Sequence, residues 1–361
     1  DITSALANFP VLIYLSSSSG INSEDVTFVF DEVGANSLKI AVTDADGTTE
    51  RYVEIDEWDS GSEKAWIFVK VNSIASGSDT VLYLYFDNTH ADNTTYVGVK
   101  ESAAGEAVWD ANFVMVQHMG EGSGTVKDST NHDNDGSQGQ TPVYGQTGKI
   151  ADAVELDGVH TTGDYFNLGD VAEFTFAAFT WSGWVLTHDK TADNTNSMMV
   201  ADKSGGGGNR EWQFSLERAN DTLPWKVKPN LGNSSGNWGM TSLQSIATLA
   251  FGVWRYITVT WDGTTVKIYI QGAYDSQTGY TGTIKNTTQP VSIGKTASTS
   301  QFYDGLTDEL RFSDTDRNAA WIAASFESGS DDLLDWGTEE TAVSASLLGE
   351  FIVRQAGSAE L

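Results

Sequence analysis

Residues 131–136, Asn-His-Asp-Asn-Asp-Gly, set Asn131, Asp133 and Asp135 at alternate positions ahead of a glycine. That is the spacing of a calcium loop, because a hard cation takes several side-chain and carbonyl oxygens. The helix-loop-helix version fails, since its twelfth position is Pro142, where a bidentate glutamate is required. Glu54 and Asp56 lie two apart in a strand-like run and so project from one face, as two carboxylates must to cleave a glycosidic bond. The next acid, Glu57, points away. Gly232-Asn-Ser-Ser-Gly236 spells a nucleophile elbow, but loop-like residues flank it where a strand and a helix are needed. The five histidines never fall four apart and cysteine is absent, which excludes a helical zinc site, thiol chemistry and disulfides. No catalytic residue is assigned. Trp212, Trp225 and Trp238 stand in or beside the polar stretch 202–240, near Asn209, Asn230, Asn233 and Asn237. Aromatics that stack on a sugar ring, framed by amides, suit glycan recognition. Trp212, Trp225, Trp238 and Asn233 are the ligand-binding candidates.

The elements that must position these residues read as strands. Among 361 residues are 36 Gly, 12 Trp, 12 Tyr and 16 Phe, a composition for strands and turns. Val26–Phe30, Leu38–Val42, Trp66–Val71 and Val81–Phe86 are β-branched and aromatic runs of strand length, with Asp46-Gly47 and Ser60-Gly61 as turns between them. In Trp254–Trp261, Tyr256, Thr258 and Thr260 share one face, and Ile257, Val259 and Trp261 the other. Residues 303–326 read as a tight turn at Asp304-Gly305, a strand through Leu310–Phe312 and a short helix near Asn318–Phe326 that plugs one end of a sandwich. Twenty basic against 50 acidic residues give a formal charge of -30, which repels nucleic acid and anionic membranes. No apolar run reaches the roughly 18 residues of a membrane span, so no membrane insertion is expected. The start at Asp1 reads as a processed mature form.

Several of these runs carry resemblances. Asn8–Leu12, Thr43–Thr49, Glu54–Asp59, Trp66–Lys70 and Thr80–Phe86 together resemble an uncharacterised β-domain common in prokaryotic surface proteins, where it precedes laminin-G-like domains. Gly120–Gly124, Lys127–Asn131, Ala153–Gly158 with Asp164-Tyr165, Phe179–Val185, Trp254–Gly263, Val266–Gly272, Val291–Gly294 and 303–326 resemble, in order, a laminin-G-like (concanavalin A-like) jelly roll. Where that family has Asp-Gly at the second hairpin turn, this chain has Gln271-Gly272. The resemblance implies a structural calcium ion held by the Gly158 carbonyl and the Asp308 carboxylate, with Asp128 as a further ligand, and a second unit whose melting depends on calcium.

The expected fold class is all-β: an N-terminal antiparallel β-sandwich at 1–98, a linker at 99–108, a concanavalin A-like jelly roll at 109–341 and a β-strand repeat tail at 342–361. The tail holds Ser344-Ala-Ser-Leu347 and Ser358-Ala-Glu-Leu361, 14 residues apart, with the strand-like Leu348–Arg354 between. One copy cannot bury both faces and needs a partner sheet edge. The expected function is a non-enzymatic extracellular or cell-surface protein that binds a glycan or other cell-surface ligand. The alternative is a filament subunit whose tail strand pairs with copies of itself. A carbohydrate-active enzyme ranks last, because no acid pair stands in the jelly roll.

Overall fold

The computed structural model describes residues 2–189, 196–220, 223–296, 301–341 and 347–353, with 338–341 and 347–353 as backbone. The chain divides into two units: Asp1–Ala111 with Ser129–Asn131 and Asn318–Leu361, and Asn112–Asp128 with His132–Arg317.

The first unit has two sheets. One runs in the order Leu6–Leu15, Lys64–Ile74, Val53–Asp59, Val97–Val99, antiparallel except for the last pair. The other runs Leu334–Thr341, Leu347–Val353, Thr80–Phe86, Ile40–Asp44, Glu50–Arg51, antiparallel throughout. Alternation decides the faces: Leu82, Leu84 and Phe86 are buried, while Tyr83 and Tyr85 are half-buried on the opposite side.

Val26–Phe30, expected as a strand, instead leads into the helix Phe28–Val33. Its buried residues are Val29, Phe30 and Val33, the spacing of one helical face. Asp25 accepts from the Thr27 amide and hydroxyl just ahead of it, which favours a helical start over a ladder.

Residues 99–108 are not a linker. Ser102 caps the short helix Ala103–Glu106, and the buried Trp109 packs on Phe68 at 5.3 Å while its indole N–H donates to Glu54 at 2.6 Å.

The helix Ala319–Gly329 is capped by Asn318, whose Oδ1 accepts from the Trp321 amide at 3.0 Å. It was expected to plug the jelly roll but packs in the first unit. Trp321 meets Phe9 edge-on at 4.9 Å, and Ser328 Oγ accepts from the Leu12 amide at 2.8 Å. Trp321 and Ile322 need an apolar face, and the strand Leu6–Leu15 offers one. The tail strand Leu347–Val353 likewise lies within this unit, paired to Thr80–Phe86 from Leu347↔Phe86 to Val353↔Thr80. Residues 344–346 and 358–361 of the suspected repeat lie outside the described residues.

The second unit is an antiparallel jelly roll. Its first sheet runs Val143–Thr147, Asp152–Asp157, Asp304–Ser313, Phe179–Thr187, Arg255–Trp261, Thr265–Ile270, Ala273–Gly279, with Phe113–Gln117 also on Asp304–Ser313. Its second runs Trp238–Met240, Lys226–Gly232, Arg210–Glu217, Ser197–Ser204, Val291–Ile293, Tyr165–Gly169, Ser137–Gly139. Aromatics from both inner faces interlock: Trp181 stacks on Phe214 at 4.7 Å, and Phe312 packs on Trp212 at 5.0 Å. As expected, Ile257, Val259 and Trp261 face this core. Gln271 and Gly272 both take positive φ (53° and 74°) and close the hairpin where the family has Asp-Gly. Asp304-Gly305 is no turn. It opens the strand Asp304–Ser313, and Gly305 (φ 146°) is required because the Leu186 carbonyl occupies the place of a Cβ.

At the turn beside Gly47, Asp46 accepts from the amides of Thr48 and Thr49 and the hydroxyl of Thr49. These bonds, the Thr49 hydroxyl foremost, hold its carboxyl at about 2. Asp262 is lowered in the same way by Thr264 and Thr265. A depressed folded value stabilises above the unfolded value and is lost as pH falls through the folded one. Acid should therefore weaken the fold between about pH 4 and pH 2, with Asp46 titrating near the bottom of that window by NMR. A midpoint near 4 for Asp46 would contradict these bonds.

Candidate ligand-binding loops of the second unit

Two of the three tryptophan candidates are core. Trp212 is fully buried among Phe174, Phe214 and Phe312 and donates its indole N–H to the Phe174 carbonyl at 2.8 Å. Trp225 is also fully buried, with the Arg218 guanidinium 4.3 Å from its ring centroid. Both fail as ligand contacts because a jelly roll spends its largest apolar side chains between the sheets. Asn233 is a turn residue: its Oδ1 accepts from the Ser235 amide at 2.9 Å and the Asn237 amide at 3.2 Å.

Trp238 differs. It is half-buried at the start of an edge strand, with Arg210 stacked against its ring at 5.1 Å. Around it three loop segments are tied together through backbone carbonyls. The Arg210 amide donates to the Gly236 carbonyl at 3.0 Å. The Gly208 carbonyl sits where a Cβ of Gly236 (φ 71°) would lie, so only glycine fits. Tyr280 Oη donates to the Gly232 carbonyl at 2.6 Å, and Lys285 Nζ to the Gly208 carbonyl at 2.8 Å. Asn209 and Asn237 are exposed at the rim.

A buried ion pair supports this cluster. Lys203 and Glu211 are both fully buried, with Nζ 2.7 Å from Oε1. The same Oε1 accepts from the Thr287 amide at 2.8 Å and hydroxyl at 2.7 Å, and Oε2 from the Thr175 hydroxyl at 2.8 Å. The loop carrying Lys285 is thereby tied to the strands carrying the glycine tip. Arg210, Lys285 and Tyr280 did not stand out in the sequence. The one signal was an arginine and an asparagine directly after the run Gly205–Gly208.

The residues implied for calcium do not assemble. Gly158 follows Asp157, which pairs with Asp304, whereas Asp308 lies opposite Ala153's end of that ladder. They stand five positions apart along the strand, roughly 16 Å. Asp308 Oδ2 accepts from the amides of Lys149 and Ile150 at 2.8 and 2.9 Å. Asp128 accepts from the amides of Val116 and Asn134 at 2.8 and 2.9 Å. In the 131–136 loop Asp135 is similarly committed: it accepts from the Asp128 amide and pairs with Lys127. These carboxylates accept from backbone amides, and the register keeps Asp308 away from Gly158. Chelator should therefore leave the melting of the second unit unchanged, while Asp308→Ala lowers its stability by about 2–3 kcal/mol with or without calcium, through two stranded amides. A chelator-sensitive melt that Asp308→Ala abolishes would restore the ion.

Beside Asp308, Glu309 holds φ 53° at a bulge opposite Gly183. Its buried carboxylate lies 2.6 Å from His118 Nδ1 and 2.5 Å from Arg311. Burial alone would push this carboxyl up, but His118 and Arg311 overcome that and hold it below the usual range. The Asp-Glu motif of the closing strand is thus spent on rigidity.

Residues 160–323 match the sequence profile described as the concanavalin A-like lectin/glucanases superfamily, and residues 24–99 match a domain of unknown function. The second unit is thus a concanavalin A-like jelly roll preceded by an uncharacterised domain, as the resemblances implied. Among solved structures, domain 4 of AbnA, an extracellular arabinanase from Geobacillus stearothermophilus in complex with arabinotriose, is 18% identical with a TM-score of 0.46. That match covers 60% of this chain and 98% of that one. The binding domain of Paraclostridial Mosquitocidal Protein 1 is 13% identical with a TM-score of 0.46, covering 63% of this chain and 57% of that one. The binding domain of botulinum neurotoxin DC in complex with SialylT is 10% identical with a TM-score of 0.45, covering 61% and 52%. The chain thus spans about half the length of these toxin domains. No curated protein matches.

Proposed function

We propose that this is a non-enzymatic protein of the cell exterior, whose jelly roll binds a glycan through the loops around Trp238. The observation that carries the reading is the contrast among the three tryptophans. Trp212 and Trp225 are sealed in the core, while Trp238 is partly open, buttressed by Arg210 and ringed by exposed amides on loops already locked in place. A rigid aromatic with surrounding hydrogen-bonding groups binds a sugar ring with little ordering cost. The concanavalin A-like profile match supports the same class of function.

The tail favours binding over a filament. Its strand pairs along its whole length within its own chain, so it is not held out for a neighbour. The candidate acid pair also argues against catalysis: Glu54 is fully buried and accepts from Trp109, and Asp56 lies 3.5 Å from Lys100. Among the described residues no helix is long and apolar enough to cross a membrane.

The test is a glycan array on the whole chain, then calorimetry on its best ligand. Trp238→Ala should weaken that ligand about tenfold, the loss of roughly 1.4 kcal/mol of stacking. Arg210→Ala should weaken it less. Full affinity in Trp238→Ala would discard this site.

A further inference from the structure

The first unit, which carries no assigned activity, has a groove of about 360 Å³ on the outer face of its five-stranded sheet. That volume falls in the range of small-ligand sites, roughly 300–1,000 Å³. We propose that it is a second binding site, independent of the Trp238 loops, for an uncharged or amine-bearing sugar.

The strand pairing makes the floor. Ile40–Asp44 and Thr80–Phe86 send Ile40, Val42, Leu82, Leu84 and Phe86 into the core. The opposite face carries Tyr85, and directly across from it Ala41. A large side chain at 41 would fill the space beside the tyrosine ring, and a methyl leaves it open. The floor is therefore the Ala41 methyl beside the Tyr85 ring, whose hydroxyl donates to the Gly47 carbonyl at 3.3 Å, and such a ring suits the C–H face of a pyranose.

The wall is the segment 87–93, which is fixed at both ends. The Asp87 amide donates to the Lys39 carbonyl at 3.1 Å, and the Asn93 amide to the Leu38 carbonyl at 2.8 Å. Asn93 Nδ2 also donates to Glu50 Oε2 at 2.8 Å, which orients that carboxylate over the edge strand. Lys39 Nζ is held 3.0 Å from Asp92 and donates to the His90 carbonyl. The lining thus sets three carboxylates, Glu50, Asp87 and Asp92, against Lys39, which is paired with Asp92, and the His90 imidazole, whose Nδ1 lies 2.8 Å from Asp87 Oδ2.

That balance selects the ligand. Carboxylates accept from sugar hydroxyls or an ammonium and repel a uronic or sialic acid. The fixed wall means that little has to be ordered on binding.

The experiment uses the whole chain in a Trp238→Ala background, so the proposed jelly-roll site is silent and the two sites fail separately. Calorimetry is run with a glucosamine disaccharide, a glucose disaccharide and a glucuronic acid disaccharide. The first two should bind and the third should not. Ala41→Trp, which fills the groove from an outward half-buried position, should weaken binding at least tenfold. Asp92→Lys, at an exposed residue whose change leaves the core untouched, should shift preference towards the glucuronic acid disaccharide. The proposal is overturned if no disaccharide binds, if Ala41→Trp binds as before, or if Asp92→Lys leaves the order of preference unchanged.

Discussion

Deleting residues 342–361 should lower the melting temperature of the first unit by roughly 10 °C and cause the protein to associate. The deletion removes Leu347–Val353, an interior strand of the five-stranded sheet, bonded on one side to Thr80–Phe86 and on the other to Leu334–Thr341. Ladder bonds contribute about 1 kcal/mol each, and even half of those lost on the Thr80–Phe86 side amount to about 4 kcal/mol. The strand left at the edge reads Thr-Val-Leu-Tyr-Leu-Tyr-Phe, flat, apolar and uncharged, which is the kind of edge that pairs with other chains. A synthetic peptide of residues 347–353 should restore both melting and monomeric size by adding back the strand. A truncated chain that melts and sediments like the full one would show that the sheet closes without it.

The second large effect is expected at Glu211. Glu211→Ala takes the closest partner from the fully buried Lys203 ammonium, leaving it only the longer contact to Asp170 at 3.4 Å and to the Thr287 carbonyl, and strands the Thr287 amide. Removing one partner of a buried pair costs about 3–5 kcal/mol, roughly 10 °C or more for a unit of this size. The double variant Lys203→Met, Glu211→Leu removes both charges and should recover much of that loss. The pair also ties the Lys285 segment to the strand beside the glycine tip, so Glu211→Ala should weaken glycan binding in the surviving folded fraction. The double variant should regain melting but not full affinity, because Thr287 and Thr175 still lose their acceptor. Melting of Glu211→Ala within a degree or two of the parent would mean that water replaces the carboxylate without cost.

Much of the fold was legible because it rests on period. Val81–Phe86 and Trp254–Trp261 alternate in residue type and form the strands Thr80–Phe86 and Arg255–Trp261, with Ile257, Val259 and Trp261 on one core-facing side. Asp262-Gly263 and Gln271-Gly272 turn where turn chemistry requires. Local pattern failed where tertiary partners decide. Val26–Phe30 is β-branched and aromatic, yet Asp25 and the Val29, Phe30, Val33 spacing make it helical. The helix Ala319–Gly329 follows the jelly roll in sequence, yet Trp321 finds its apolar face on Phe9, more than three hundred residues back. The tail showed its strand but not its partner, because a seven-residue run carries no record of which edge it will fill.

At the candidate site the sequence named the loop region and one of its aromatics. It could not separate Trp238 from Trp212 and Trp225, since all three stand among the same polar residues and only depth distinguishes them. Arg210, Tyr280 and Lys285 come from three segments that meet only on folding. Two of the implied calcium ligands stand apart for a related reason. Gly158 directly follows the strand that neighbours Asp308's, but the antiparallel register sets the two far apart.

The most direct measurement is an NMR titration of the indole N–H signals of the chain's 12 tryptophans with the best ligand from the glycan array. If the jelly roll binds through its locked loops, the Trp238 signal shifts in proportion to occupancy while those of Trp212 and Trp225 stay put. A ligand that saturates the protein while the Trp238 signal does not move would contradict the account.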